Sequence, residues 1–481
     1  MKHIIKTYTG TLSALLVFTL LLSACSDDGP TSIEEEEEVE TVEIPDQRLL
    51  AQIRIILDID DETDITPEMM LEITELNLNA SDDFSGDISE IADLTGIEYA
   101  LNLEYFRISY TAVTDLSPVS DLENIEYFRI NNTGITDISP IANYTNLTYF
   151  NANTVTGLTD ISPLLGNANL HTTILRDVPM GNAGLETLRT FPIIHRINMR
   201  DTGVTDISPL REMMENGALL DSTPGAQEEN GGAVLDFRGL SIEDWSPIAP
   251  FVDQITDISG MPANAVVNFP DSNLEDFIKA YLGVDAADDL TTLYLTGLDT
   301  LNVAGILPIS DLTGLEYAPN IRYLRFGGTS VTDLTPIADL EKVEYLRLND
   351  TNVTDISPIA NYTTLTYFNA NTVTGLTDIS PLAGNDGLQE AILRNVPFGN
   401  AGMSTLRDLL SLYRINMRNT GVTDITVLGE MMADGALLDS TEGAEEAGGA
   451  TLDLRELNVN DWSPIEPYLE QISNLDGYPS E

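Results

Sequence analysis

Residues 125–146 read IEYFRINNTGITDISPIANYTN. Phe128 and Ile130 stand two apart, so they face one side of a short extended segment. Ile125 precedes them and Ile135, Ile138 and Ile141 follow, which gives one apolar stripe per pass of the chain. Ser139-Pro140 suits the start of a helical turn: Ser caps, and Pro fits the first position. The phrase Thr-Asp-Ile-Ser-Pro and close variants then recurs. Its Asp stands at 115, 137, 160 and 206, at steps of 22, 23 and 46 residues, the last being two periods. Asp333, Asp355, Asp378 and Asp424 repeat the same three steps. A fixed period in this range marks a solenoid, in which each unit buries its apolar face against its neighbours.

The chain is a tandem duplication. Asn143–Leu164 and Asn361–Leu382 differ only at Asn146 versus Thr364, and Asp244-Trp245-Ser246-Pro247 returns as Asp461-Trp462-Ser463-Pro464. Each copy opens alike. Ile44-Pro45-Asp46 leads into an amphipathic segment over 47–57, and Phe269-Pro270-Asp271 into one over 273–282. Each reads as a helix covering an exposed first repeat, the capping that solenoids need. Two starts predict two separately capped arcs, 45–263 and 264–481, lying close together because the connection near 260–264 is short. Seven strands are expected in each. Their first core residues are Leu76, Phe106, Phe128, Phe150, Thr173, Ile197 and Leu235, then Leu293, Leu324, Leu346, Phe368, Ala391, Ile415 and Leu452. A longer insertion, 215–232 and 433–449, precedes the last strand of each arc.

With its L-x-x-L-x-L spacing, this repeat resembles the leucine-rich repeat, in particular the 22-residue kind of internalin-like bacterial surface proteins. The resemblance covers nearly all of 65–260 and 290–475. It implies an α/β solenoid: short parallel strands on the concave side, 3-10 or irregular turns on the convex side, and a surface used for recognition. The family usually carries Asn where this chain has Thr111, Thr133, Thr202, Thr329, Thr351 and Thr420. A threonine supplies one hydroxyl to the backbone in place of an amide. The Asp of each phrase is expected to be solvated or to bind turn amides.

Residues alternating with the core positions point to the concave side. Tyr105, Tyr127 and Tyr149 form one column, with Tyr323, Tyr345 and Tyr367 in the second arc. Arg107, Arg129 and Asn151 form the next, with Arg325, Arg347 and Asn369. Arg176, Arg200 and Arg238 follow late in the first arc, Arg394, Arg418 and Arg455 late in the second, and Arg196 and Arg414 join them. Tyr and Arg are the residue types most enriched at binding hot spots. In-register strands lie about 4.8 Å apart, so stacked arginines repel unless an anion or a carboxylate lies between them. Two readings follow. In one, these faces bind a protein or anionic-glycan partner. In the other, Asp236, Asp453 and Glu390, which share the columns, neutralise the arginines internally and the arcs are a structural spacer or a self-associating coat.

The first 25 residues lie outside the fold. Lys2 and Lys6 precede an apolar stretch over 12–22 that is too short to span a bilayer. It ends in Leu22-Ser23-Ala24-Cys25, which resembles the lipobox of bacterial lipoproteins and so implies lipidation of Cys25, the chain's only cysteine. Ser26-Asp27-Asp28 resembles a short signal that sends some lipoproteins to the outer face of the outer membrane. That implies a lipid-anchored, surface-exposed protein. Residues 26–44 form an acidic tether with five consecutive Glu at 34–38; like charges keep such a segment extended. Loss of the leader removes Lys2 and Lys6 and no acid. That leaves 20 basic against 78 acidic residues, a net charge of −58, with 12 of the 20 basic residues in the columns just described. Such a charge argues against nucleic acid as a partner.

No chemistry is expected. The three histidines are His3, His171 and His195, and the last two have Gln389 and Tyr413 as counterparts, so the arcs share no histidine site. There is no G-x-S-x-G, phosphate-cradling glycine loop or H-E-x-x-H. The cluster Asp58, Asp60, Asp61, Glu62 and Asp64 lacks the glycine and terminal glutamate of an EF-hand loop and reads as a solvated loop. No cofactor, metal or catalytic residue is assigned.

Overall fold

Successive passes of the chain stack their strands in parallel and in register. The computed structural model describes residues 40–78, 88–227, 231–306 and 308–479. The leader, Cys25 and the tether up to residue 39 lie outside them. Residues 41–481 form one compact unit. It holds two eight-stranded parallel sheets, each in plain sequential order. The first contains β1 (Glu75–Asn77), β2 (Tyr105–Arg107), β3 (Tyr127–Arg129), β4 (Tyr149–Asn151), β5 (Thr172–Ile174), β6 (Arg196–Asn198), β7 (Val234–Asp236) and β8 (Asp257–Ser259). The second contains β9 (Thr300–Asn302), β10 (Tyr323–Arg325), β11 (Tyr345–Arg347), β12 (Tyr367–Asn369), β13 (Glu390–Ile392), β14 (Arg414–Asn416), β15 (Thr451–Asp453) and β16 (Asn474–Asp476). This is a leucine-rich repeat solenoid in two arcs.

One repeat shows why. Ile125, Phe128, Ile130, Ile135, Ile138 and Ile141 are all buried. Register pairs Phe106 with Phe128 and Phe128 with Phe150, and the first two rings stack at 5.3 Å. After the strand, Asn132 takes a left-handed conformation (φ 57°), which a short amide side chain tolerates. Thr133 Oγ1 then donates to the Ile130 carbonyl at 2.7 Å. All six such threonines close the same three-residue turn inside their own repeat, at 2.6–2.8 Å.

Early in each arc the convex side is one 3-10 turn per repeat, such as Ser139–Ile141 with Pro140 inside it; late in each arc the expected 3-10 or irregular segments are α-helical instead, at Gly181–Leu188, Ser208–Glu215, Met403–Leu406 and Thr426–Ala433. The cap of the 3-10 turn differs from the expectation: Asp137, not Ser139, satisfies the turn. Asp137 Oδ1 accepts from the Ser139 amide at 2.7 Å, while the Ser139 hydroxyl donates to Oδ2 at 2.9 Å. The same Asp-to-amide bond recurs at Asp115, Asp160, Asp206, Asp333, Asp355, Asp378 and Asp424. The repeated phrase is therefore a turn closure.

Helices Gln47–Leu57 and Ser272–Leu282 cover the two arc starts. Each has an Asp that does two jobs. Asp46 Oδ1 caps its own helix through the amides of Arg48 and Leu49, and Oδ2 accepts from Ala92 in the first repeat at 3.0 Å. Asp271 does the same with Asn273, Leu274 and, at 2.7 Å, Ser310.

Two strand assignments are corrected. Each arc has eight strands, not seven, because β8 and β16 close the sheets. Thr256-Asp257-Ile258-Ser259 reads like the convex phrase but runs into Gly260 instead of Pro, and it pairs with β7. Leu293 lies in a helical turn, Thr292–Leu295, rather than a strand. The first strand of the second arc is β9, with Leu301 and Val303 in the core. Leu293 and Leu295 also stand two apart, so alternation alone could not separate the two segments.

The arcs meet through the first arc's last turn. The Trp245 amide donates to Thr296 Oγ1 at 2.7 Å, Asn320 Nδ2 donates to the Glu243 carbonyl at 2.8 Å, and Lys342 pairs with Glu243 at 2.8 Å. Gly297 lies so close to Ser246 that any Cβ there would run into it.

Candidate functional site

The tyrosine columns are stacks. Tyr105, Tyr127 and Tyr149 lie in register, with ring centroids 4.3 and 4.2 Å apart and planes within 9°. Tyr345 and Tyr367 stack at 4.1 Å, while Tyr323 at the end of its stack is tilted at 6.0 Å. Ring faces are used on one another, so the stacks present rims and hydroxyls. Tyr149 Oη accepts from Asn151 Nδ2 at 3.2 Å, and Tyr367 Oη from Asn369 Nδ2 at 2.9 Å. Burial lifts the hydroxyls of Tyr127, Tyr149 and Tyr345 above the usual phenol range, so they stay protonated.

The arginine columns divide in two. Late in each arc, a carboxylate holds each of six arginines. Arg176 and Arg200 pair with the neighbouring Asp177 and Asp201 at 3.3 and 3.0 Å. Arg238 grips Asp236 at 2.6 Å, and Arg455 grips Asp453 at 2.8 Å. Arg414 pairs with Glu390 at 3.2 Å, and Arg418 with Glu456. The Asp236 carboxyl lies below the usual carboxylate range because Arg238 donates to it. Burial pushes Asp453 the other way, but the bonds from Arg455 outweigh it and its carboxyl is also lowered.

Early in each arc the pattern is different. Arg107 is in register with Arg129, and Arg325 with Arg347. All four are half-buried, and none forms an ion pair with a carboxylate among the described residues. Their contacts are with neutral groups. Arg129 Nη1 donates to Tyr127 Oη at 3.3 Å, Arg325 lies 6.0 Å from the Tyr345 ring centre, and Arg347 Nε donates to Asn349. The Nε atoms of Arg107, Arg129 and Arg325 are buried without a partner among the described residues.

The remaining candidates are placed as follows. Asn151 and Asn369 are only 5% and 7% exposed, and their Oδ1 atoms accept from the amides of Asn153 and Asn371, so they support the tyrosines from beneath. Arg394 is exposed, and Arg196 is half-buried. Arg196 lines an open groove of about 610 Å³ with Tyr127, Thr148, Tyr149, Asn151, His171, Thr172 and Ile174. His171, in that lining, stacks at 5.2 Å on His195, which is buried beside it. The expectation from strand alternation passed over Thr148 and His171, which sit at the turn entering each strand. The second arc differs here. Glu390 replaces Thr172 and accepts from Tyr413 at 3.3 Å, and a groove of about 440 Å³ beside it is lined by Gln389, Tyr413, Glu442 and Glu446. In the acidic loop after the first helix, Asp60 accepts from the Glu62 amide and the Thr63 hydroxyl, which makes it a closed turn.

No family model matches this chain, and no curated protein matches it. Solved structures do. An internalin from Listeria monocytogenes is 23% identical, over 81% of this chain and 93% of that one, with a TM-score of 0.36. An internalin C2 from the same species is 17% identical over 72% and 91%, with a TM-score of 0.26. A leucine-rich repeat protein of Leptospira interrogans is 12% identical over 85% and 97%, with a TM-score of 0.30. At such TM-scores the fold rests on the strand register described above, not on these likenesses.

Proposed function

We propose that this protein is a recognition protein of the bacterial surface, anchored by lipid on Cys25, and that the early Tyr–Arg part of each concave face binds the partner. One observation carries this reading: Arg107/Arg129 and Arg325/Arg347 stack in register with no carboxylate among the described residues, whereas six arginines further along the same sheets each hold one. In a chain with 78 acidic residues, leaving these four without a counterion among the described residues leaves room for an anionic group from outside. Like charges at strand spacing are relieved when such a group arrives. The role is binding rather than catalysis.

The anchoring half rests on the sequence. Leu22-Ser23-Ala24-Cys25 supplies the lipidation site, Ser26-Asp27-Asp28 the export signal to the outer membrane surface, and the acidic segment to residue 44 the spacer. Several acyl chains on one residue, at about 0.8 kcal/mol per buried methylene, hold firmly. No helix among the described residues is long and apolar enough to cross a membrane.

Self-association through the arc ends, the spacer reading, is less favoured. Ala249, buried at the end of the first arc, has exposed Glu466 as its counterpart in the second. Gly297, which admits Ser246 at the arc junction, has exposed Glu72 as its counterpart at the start of the first arc. Both free ends thus carry a charge where the internal junction has a small residue.

The test replaces Arg107, Arg129, Arg325 and Arg347 with Ser in cells displaying the protein. Loss of partner capture with unchanged melting supports recognition; lowered melting with capture intact refutes it. Labelling with a radioactive fatty acid, abolished by Cys25→Ser, checks the anchor.

A further inference from the structure

We infer that the two Tyr–Arg sites are equivalent and that each takes one stretch of an extended acidic polysaccharide built of uronic acid residues. This rests on the recognition reading above and names its ligand. The first support is what duplication has kept. The later halves of the concave faces keep their arginines but have diverged around them: His171 became Gln389, Thr172 became Glu390 and His195 became Tyr413, or the reverse; in the early halves the strand-entry residue Glu104 has Arg322 as its counterpart. The early halves keep three tyrosines, two arginines and an asparagine in register. They also share unspent hydrogen-bonding capacity. Arg107 Nε in the first arc and Arg325 Nε in the second are unmet among the described residues, and native structures leave few such atoms. The second arginines differ: Arg129 Nε is unmet, while Arg347 Nε donates to Asn349.

Ligand chemistry follows from the groups. A guanidinium is a planar fork that takes a carboxylate through two parallel hydrogen bonds. Two forks in register, about 4.8 Å apart, suit carboxylates that recur along a chain at nearly the length of one sugar ring. An acidic peptide fits less well. Peptide recognition leans on apolar anchors set into pockets, and here the ring faces are spent on each other at 4.1–4.3 Å. What remains is a row of phenol hydroxyls and half-buried guanidinium edges, with the asparagines holding the tyrosines from beneath, which matches a polyhydroxylated acid.

Calorimetric titration of the full chain tests this with three hexamers: an oligouronate, a neutral oligosaccharide and hexaglutamate. The expected result is two equivalents of oligouronate per chain and no heat from the neutral sugar. R107S/R129S and R325S/R347S should each leave one equivalent, and the four together none. R107K/R129K, which keeps charge but loses the fork, should weaken its site at least tenfold with an unchanged melting curve, so a folding defect cannot mimic the outcome. One equivalent in the unaltered chain, no effect of these variants, or equal binding of hexaglutamate would overturn the inference. If no hexamer binds but the four-arginine variant still loses partner capture on cells, the ligand assignment falls and the recognition reading stands.

Discussion

Two single substitutions on one sheet should change stability in opposite directions. Arg129→Gln removes one of two like charges at strand spacing. For unit charges about 5 Å apart the repulsion is about 0.8 kcal/mol in water and about 3 kcal/mol at an effective dielectric of 20. Arg107 and Arg129 are half-exposed, which favours the lower end, about 1 kcal/mol. The bond to Tyr127 that is lost is long, at 3.3 Å, and returns about 0.5 kcal/mol of that. The unliganded Arg129→Gln protein should therefore be as stable as the parent or more stable, by up to about 0.5 kcal/mol. Arg238→Gln is the contrast. Asp236 is 4% exposed, and both its oxygens are held by Arg238, at 2.8 and 2.6 Å. Breaking a buried pair costs about 3–5 kcal/mol; the Arg238 side chain is 54% exposed, so about 2 kcal/mol is expected here. Urea unfolding at pH 7 in about 0.1 M salt, where the screening length of about 10 Å exceeds the spacing of the pair, reads both. Equal loss in the two variants would refute the division, because Arg129 would then be a structural stitch like Arg238.

Three further outcomes are expected. Thr154 and Thr372 hold φ at 63° and 64°, strained for a β-branched residue at about 1–2 kcal/mol each. Thr154→Gly and Thr372→Gly should thus raise the urea midpoint despite glycine's entropy cost of about 0.5–1 kcal/mol. Tyr144 and Tyr362 are buried, and their hydroxyls donate to the carbonyls of Val119 and Ile337 at 2.7 and 2.6 Å. Tyr144→Phe and Tyr362→Phe should each cost about 1 kcal/mol, read by calorimetric melting. The carboxyls of Asp46 and Asp271 are pushed up by burial, but backbone amides outweigh it and hold them below the ordinary value of 3.8. A lowered folded value means their stabilisation is present above about pH 4 and is lost as pH falls through it. Acid titration of Asp46→Asn and Asp271→Asn should accordingly show less loss below pH 4 than the parent.

Much of the site was legible because strand alternation is local. Which residues share a column follows from Phe128 and Ile130 alone: the register aligns Tyr105, Tyr127 and Tyr149, Arg107 with Arg129, and their counterparts in the second arc, while Arg176, Arg200 and Arg238 lie just past their strand ends. Charge state was legible in part. Asp236, Asp453 and Glu390 share the columns, and they pair with Arg238, Arg455 and Arg414. Arg418, however, finds Glu456 38 residues away, through a stacking that sequence distance does not report. The burial of Asn151 and Asn369 was equally hidden, since an outward position on a strand can still be covered by a neighbouring tyrosine.

The solenoid, its period and its capped starts were set by the sequence because each depends on a local pattern, and the duplication because Asn143–Leu164 returns almost unchanged as Asn361–Leu382. Only the tertiary structure decided which arginines have no carboxylate among the described residues, where each sheet closes, and how the first arc seats on Gly297 of the second. Those outcomes depend on which side chains from different turns come within reach, and stacking sets that distance.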